Sequence, residues 1–121
     1  MWAPSRTLAI WLYRQPTDMR KSFDGLSVLA KQVMGEDPLS GAVFVFVNRR
    51  RTQMRCLYFD GDGYCVWAKR LEQGRFQIHW SDGKALLDMS TLRLLIDGIE
   101  PDSVRRFKRY RHRDEPRVSL Q

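Results

Sequence analysis

The side chains in this sequence best suited to chemistry are basic, and they come in two clusters. Arg49, Arg50 and Arg51 stand in a row between two apolar runs, while Lys69, Arg70 and Arg75 flank the stretch Leu71-Glu72-Gln73-Gly74. Adjacent arginines repel one another unless something anionic neutralises them, and the planar guanidinium fork matches phosphate oxygens. A β-hairpin with a basic tip can also enter a DNA groove. The competing reading is a solvated loop whose charge blunts edge pairing. In an antiparallel meander the far end of the third strand lies beside the loop joining the first two, so both clusters are predicted to form one patch.

A third basic segment follows. Arg105, Arg106, Lys108, Arg109, Arg111, Arg113 and Arg117 face only Asp114 and Glu115, a balance of +5 out of the chain's +7. The basic isoelectric point therefore describes mainly a tail. Such a segment attracts polyanions by counterion release, so Arg105, Arg106, Lys108 and Arg109 join the candidate nucleic-acid contacts. A solvated terminus with no partner is the plainer alternative.

No catalytic constellation is legible. A metal-dependent nuclease needs two or three converging carboxylates, but Asp18 is explained as a helix cap, Asp24 as helix surface, and Asp60 and Asp62 as parts of a turn. Asp60-Gly61-Asp62-Gly63 opens like a calcium loop yet lacks its further ligands and closing glutamate. His79 and His112 have no Cys or His partner at zinc spacing. No Ser/His/Asp or Cys/His arrangement and no phosphate-cradling glycine loop stands out, so neither catalysis nor a cofactor or metal is expected. Pairing Phe59 with Tyr64 sets Tyr58 opposite Cys65 and Cys56 opposite Trp67. The two cysteines then lie on a diagonal of about 7–8 Å, long for a bridge. Both are predicted to be reduced, buried thiols. Tyr58 and Trp67 are either core aromatics or a stacking platform.

The elements that must position these groups follow from patterning. Thr7–Arg14 carries β-branched and aromatic residues and is predicted to be a first strand, ended by Gln15-Pro16. Thr17-Asp18 supplies a helix cap. Met19, Phe23, Leu26, Ala30 and Val33 then recur at helical spacing, with Arg20, Asp24, Ser27 and Lys31 opposite and Arg20 and Asp24 one turn apart. Gly25 weakens this helix unless something packs over its missing side chain, and Gly35 ends it. Val43–Val47 is an unbroken apolar run, the pattern of a strand buried on both faces. Met54–Phe59 and Tyr64–Lys69 continue the meander through Asp60-Gly61-Asp62-Gly63, a strong hairpin signal. Phe76–Trp80 and Lys84–Leu87 are further candidate strands. Ser90 or Thr91 is expected to cap a short helix, Leu92–Asp97, with Leu92, Leu95 and Ile96 inward and Gly98 at its end.

By this point the residues resemble a known family. Thr17-Asp18-Met19-Arg20-Lys21-Ser22-Phe23-Asp24-Gly25-Leu26 is similar to its signature, as are Asp37-Pro38-Leu39-Ser40-Gly41 before Phe44-Val45-Phe46, and Asp60-Gly61-Asp62-Gly63 leading into Trp67-Ala68-Lys69-Arg70-Leu71-Glu72-Gln73-Gly74-Arg75-Phe76. The family is the TnpB accessory protein, the second reading-frame product of bacterial insertion sequences of the IS-sixty-six type. The resemblance covers residues 10–76, with looser similarity through Leu92, and departs from the pattern at Ser22, where the family has glycine, and after Phe76. It implies a small non-catalytic protein encoded beside a separate transposase and needed for transposition.

The expected fold class is α+β. Residues 1–103 are read as a single domain, an antiparallel β-sheet meander covered by one N-terminal helix over Thr17–Met34, with a short second helix near the C-terminus. Residues 104–121 are read as a flexible basic tail. At 121 residues with 43% hydrophobic content, such a domain buries a proper core without staples. No apolar run approaches the roughly 18 residues that cross a bilayer, and no leader is legible, so a cytoplasmic protein with no membrane and no small-molecule substrate is expected. Its expected partners are DNA, through Arg49, Arg50, Arg51, Lys69, Arg70 and Arg75, and the transposase of the same element. An adaptor docking on that transposase through Arg20, Lys21 and Asp24, without DNA contact, is the alternative.

Overall fold

The computed structural model describes residues 9–98. Its centre is β2 (Val43–Val47), whose five residues are all buried. Alternation sends Val43, Val45 and Val47 to one face of the sheet and Phe44 and Phe46 to the other. Covering both faces is what removes such a strand from water, at about 1.5–3 kcal/mol for each large apolar side chain.

Around β2 lies a five-stranded sheet in the order β4-β3-β2-β1-β5, formed with β1 (Ile10–Tyr13), β3 (Gln53–Phe59), β4 (Tyr64–Arg70) and β5 (Lys84–Leu87). β2, β3 and β4 form the expected antiparallel hairpins, with Phe59 opposite Tyr64 and Cys56 opposite Trp67. The sheet as a whole corrects the expectation of an antiparallel meander covered by an N-terminal helix. β1 pairs with β2 in parallel, and β5 joins the far side of β1 antiparallel to it. Parallel neighbours need a long crossover, and the helical segment between β1 and β2 is that crossover, in the middle of a mixed sheet's connectivity.

This helix is also shorter than expected. α1 spans Phe23–Val28 and passes into a π-helical turn over Leu29–Val33. Thr17 and Asp18 do not cap it. The Thr17 amide donates to the Val47 carbonyl, and its buried hydroxyl has no partner, while Asp18 turns to Arg20. The wide turn, closed by the Met34 amide donating to the Leu29 carbonyl, moves the buried position that follows Ala30 from Val33 to Met34. Leu26, Ala30 and Met34 are buried, whereas Phe23 and Val33 are 49% and 56% exposed. Gly35 ends the segment at a φ of 73°, as expected. A side chain at Gly25 would meet Lys21 Cβ at 3.1 Å, the close packing that tolerates a helical glycine.

One face of the sheet is closed by Leu26 of α1, Ala30 of the π-helical turn and Met34 just after it, against Tyr13, Phe44, Phe46 and Leu57. The other is closed by α2 (Met89–Ile96) through Leu92 and Leu95, with Phe76 and Ile78 beside them. The segment 76–80 is not a strand. It is held by the Phe76 amide donating to the Arg51 carbonyl, and it supplies side chains to the core rather than a ladder. α2 starts earlier than expected and is capped by Asp88, which accepts from the Thr91 amide at 2.7 Å. Both cysteines are free, Cys56 buried and Cys65 half-buried. Burial pushes the Cys56 thiol up to about 12. Thr7, Leu8 and residues 99–121 lie outside the described residues.

Candidate nucleic-acid interface

The turn between β2 and β3 is assembled by a residue that carries no charge. Asn48 Oδ1 accepts from the amides of Thr52 and Gln53 at 2.8 and 3.0 Å, and Nδ2 donates to Thr52 Oγ1. The Arg51 amide donates to the Asn48 carbonyl at 2.9 Å, and Arg51 takes a φ of 61°. A left-handed residue after such a turn lets the chain re-enter the strand with the right twist. These bonds satisfy the loop backbone without using any guanidinium group.

The six cations expected to form one patch then divide. Arg49, Arg50, Arg51, Thr52 and Arg75 line one shallow cleft of about 320 Å³, brought together because the Leu71 amide donates to Thr52 and the Phe76 amide to Arg51, at 2.8 and 2.7 Å. Within it, the half-buried Arg51 donates Nη1 to the Ile78 carbonyl at 3.4 Å, so it fastens the 76–80 segment. Lys69 donates Nζ to the Ile96 carbonyl at 2.9 Å, a cation at the C-terminal end of α2 where the helix dipole favours it. Arg70 pairs with Glu72 at 3.1 Å on the open surface. Arg49, Arg50 and Arg75 are exposed, and their side chains make no hydrogen bond or ion pair among the described residues. Three cations on a fixed turn and its neighbouring loop thus have side chains with no internal partner among the described residues.

The expected partner surface is rearranged too. Arg20 does not meet Asp24 across a helical turn. It folds back on Asp18, with Nη2 2.7 Å from a carboxylate oxygen, and this guanidinium lowers the Asp18 carboxyl to about 2. The Lys21 carbonyl accepts from Arg55 Nη1 at 3.1 Å, while the Lys21 and Asp24 side chains stay exposed around Phe23. Arg105, Arg106, Lys108 and Arg109 lie outside the described residues.

At the opposite end of β3 and β4 the turn is acidic. Asp60 Oδ1 accepts from the amides of Asp62 and Gly63 at 3.3 and 3.2 Å, and Oδ2 accepts from the Cys65 thiol. The Asp62 amide holds the Asp60 carboxyl below its usual range, and the neighbouring Asp60 carboxylate raises that of Asp62. Among the described residues no three His, Cys, Asp or Glu side chains gather as a metal would require. Of the residues that shape the site, Asn48 and Thr52 escaped sequence reasoning. An asparagine opening a turn was the available signal, because its side chain bonds to backbone two or more residues on.

Fold and site together define a small mixed-sheet protein with three exposed arginines at one sheet end that pair with no group among the described residues. A family model described as "IS66 Orf2 like protein" matches residues 8–106, so the chain belongs to that family, a family of accessory proteins of insertion-sequence transposition. It is similar to the uncharacterized protein y4jC of Sinorhizobium fredii, 36% identical over 107 residues, covering 88% of this chain and 92% of the relative. The uncharacterized protein y4hO of the same organism is 32% identical over 101 residues, covering 83% and 88%. No solved structure matches the chain. No helix among the described residues is long and apolar enough to cross a membrane.

Proposed function

We propose that this chain is a non-catalytic accessory factor that grips the phosphate backbone of its element's DNA through Arg49, Arg50 and Arg75, beside a separate transposase. The observation that carries this reading is the division of the cations. The fold consumes Arg51, Lys69 and Arg70 and leaves those three without a partner among the described residues. Side chains on a turn tip reach phosphates readily, and phosphate contacts set position and affinity without reading sequence.

A salt titration of duplex binding tests the reading. Replacing Arg49, Arg50 and Arg75 together by alanine should reduce the slope of log affinity against log salt by about 0.9 for each phosphate no longer neutralised. An unchanged slope with a correctly folded variant overturns it. The same titration on a chain ending at residue 103 measures the share of Arg105, Arg106, Lys108 and Arg109.

The adaptor reading has one observation in its favour. Phe23 is half exposed between the charged side chains of Lys21 and Asp24, an arrangement that suits a protein partner better than a phosphate. If Phe23→Ala with Asp24→Ala abolishes capture of the transposase while DNA affinity holds, the two surfaces divide the work. Capture that survives both changes removes the helix surface from consideration.

A further inference from the structure

The sheet ends in two unlike edges. β5 is four residues long. β4 has seven residues, Tyr64–Arg70, no proline and an unbroken register against β3. Its outward groups follow from the hydrogen bonds that bracket the ladder. The Asp60 amide donates to Gly63, and the Leu71 amide to Thr52, so both are hydrogen-bonded pairs. Because such pairs alternate with non-bonded ones in an antiparallel ladder, Cys65, Trp67 and Lys69 bond inward to β3. Tyr64, Val66, Ala68 and Arg70 then turn their amides and carbonyls outward, and among the described residues no backbone group meets them.

Natural edges are usually blocked by an inward lysine, a proline or a bulge. Here the only lysine of the strand is tied to the Ile96 carbonyl, and the middle of the strand is open, with Trp67 37% exposed and Ala68 exposed.

We infer that the β4 edge pairs with the β4 edge of a second copy of this chain, antiparallel about a two-fold axis through Trp67. The strand itself selects this occupant and register. Only centring on Trp67 brings all seven residues into register. That centring also sets outward residues against outward residues, Tyr64 facing Arg70 of the second copy and Val66 facing its Ala68. Trp67 meets its own copy at a non-hydrogen-bonded position, where cross-strand side chains come closest and aromatic pairs contribute most. No like charges meet. Lys69 faces Cys65, and each Arg70 lies against a tyrosine ring, a favourable cation–π arrangement.

The test combines solution mass with a cross-link on the full chain. The wild type should run at twice its 14.3 kDa chain mass. Ala68→Pro should return it to one, because it removes an outward amide that β3 does not use. The cross-link is sought in a Cys56→Ala background, because Cys56 stands opposite position 67 within the same chain. There Trp67→Cys should form an interchain disulfide under mild oxidation, since facing residues at a non-bonded pair lie within bridging range. Val66→Cys should not, having alanine opposite. A monomeric wild type with no Trp67→Cys cross-link overturns the inference. So does a dimer that survives Ala68→Pro and yields no cross-link, for it must use another face. DNA affinity is not a readout in either experiment, so this inference and the phosphate-contact reading fail separately.

Discussion

The two hairpin turns at opposite ends of β3 solve one problem with opposite chemistry. Each must satisfy amides in or beside its loop, and each does so with a side-chain oxygen five or fewer positions before them. At the acidic end that oxygen is the charge: the Asp60 carboxylate accepts from two amides and the Cys65 thiol. At the basic end the oxygen belongs to neutral Asn48, and the charges at Arg49 and Arg50 take no part. A charge spent on the fold says little about ligands, whereas a charge the fold has no use for says a good deal. By that measure the basic turn is where the proposed phosphate contact belongs.

The largest test of the contrast removes Asn48. Asn48→Ala leaves the amides of Thr52 and Gln53 without their acceptor and should cost about 2 kcal/mol in urea unfolding, within the range for half-buried donors left unpaired. Asn48→Asp keeps the acceptor, so it should recover most of that stability while weakening DNA binding, because a carboxylate then sits beneath the arginines. If the aspartate variant binds as the wild type does, the turn is not a phosphate site.

A smaller effect is expected at Arg51. Arg51→Ala keeps the left-handed backbone but loses the bond to the Ile78 carbonyl and should destabilise by about 1 kcal/mol. Arg51→Gly relieves the strained φ and should fall within about 0.5 kcal/mol of wild type. In both, the salt slope of DNA binding should change less than in Arg49→Ala, measured in the same titration.

The smallest effect concerns pH. The folded carboxyl of Asp60 is lowered by the Asp62 amide, so the folded state binds that proton less readily than the unfolded chain. Its contribution is therefore complete above about pH 4, the unfolded value, and lost as pH falls below it. Asp60→Asn should flatten the acid limb of the stability profile. Asn48→Asp should introduce such a limb at the basic turn, which now has none of its own.

Much of this frame was legible in the sequence. The apolar run Val43–Val47 announced a doubly covered strand, the Asp60–Gly63 turn set the β3–β4 register, and the meander brought Arg75 beside Arg49–Arg51. Two things were not legible, for the same reason. The parallel pairing of β1 with β2 depends on where a crossover returns, and local periodicity carries no record of that. Which cations are consumed depends on carbonyls 27 residues away, at Ile78 for Arg51 and at Ile96 for Lys69. The burial of Met34 in place of Val33 belongs with these, because the π turn that causes it has no sequence period of its own.

One side chain has consequences for how this molecule breathes. Lys84, on the edge strand β5, lies over the Trp11 ring and donates to both the Met34 carbonyl and the Glu36 carboxylate. It thus fastens the end of the crossover to a strand far along the chain. Elements joined in this way open together rather than one at a time. In hydrogen exchange, β5 and the last turn before Gly35 should lose protection as one cooperative unit, and Lys84→Met should split them into two, with β5 exchanging first.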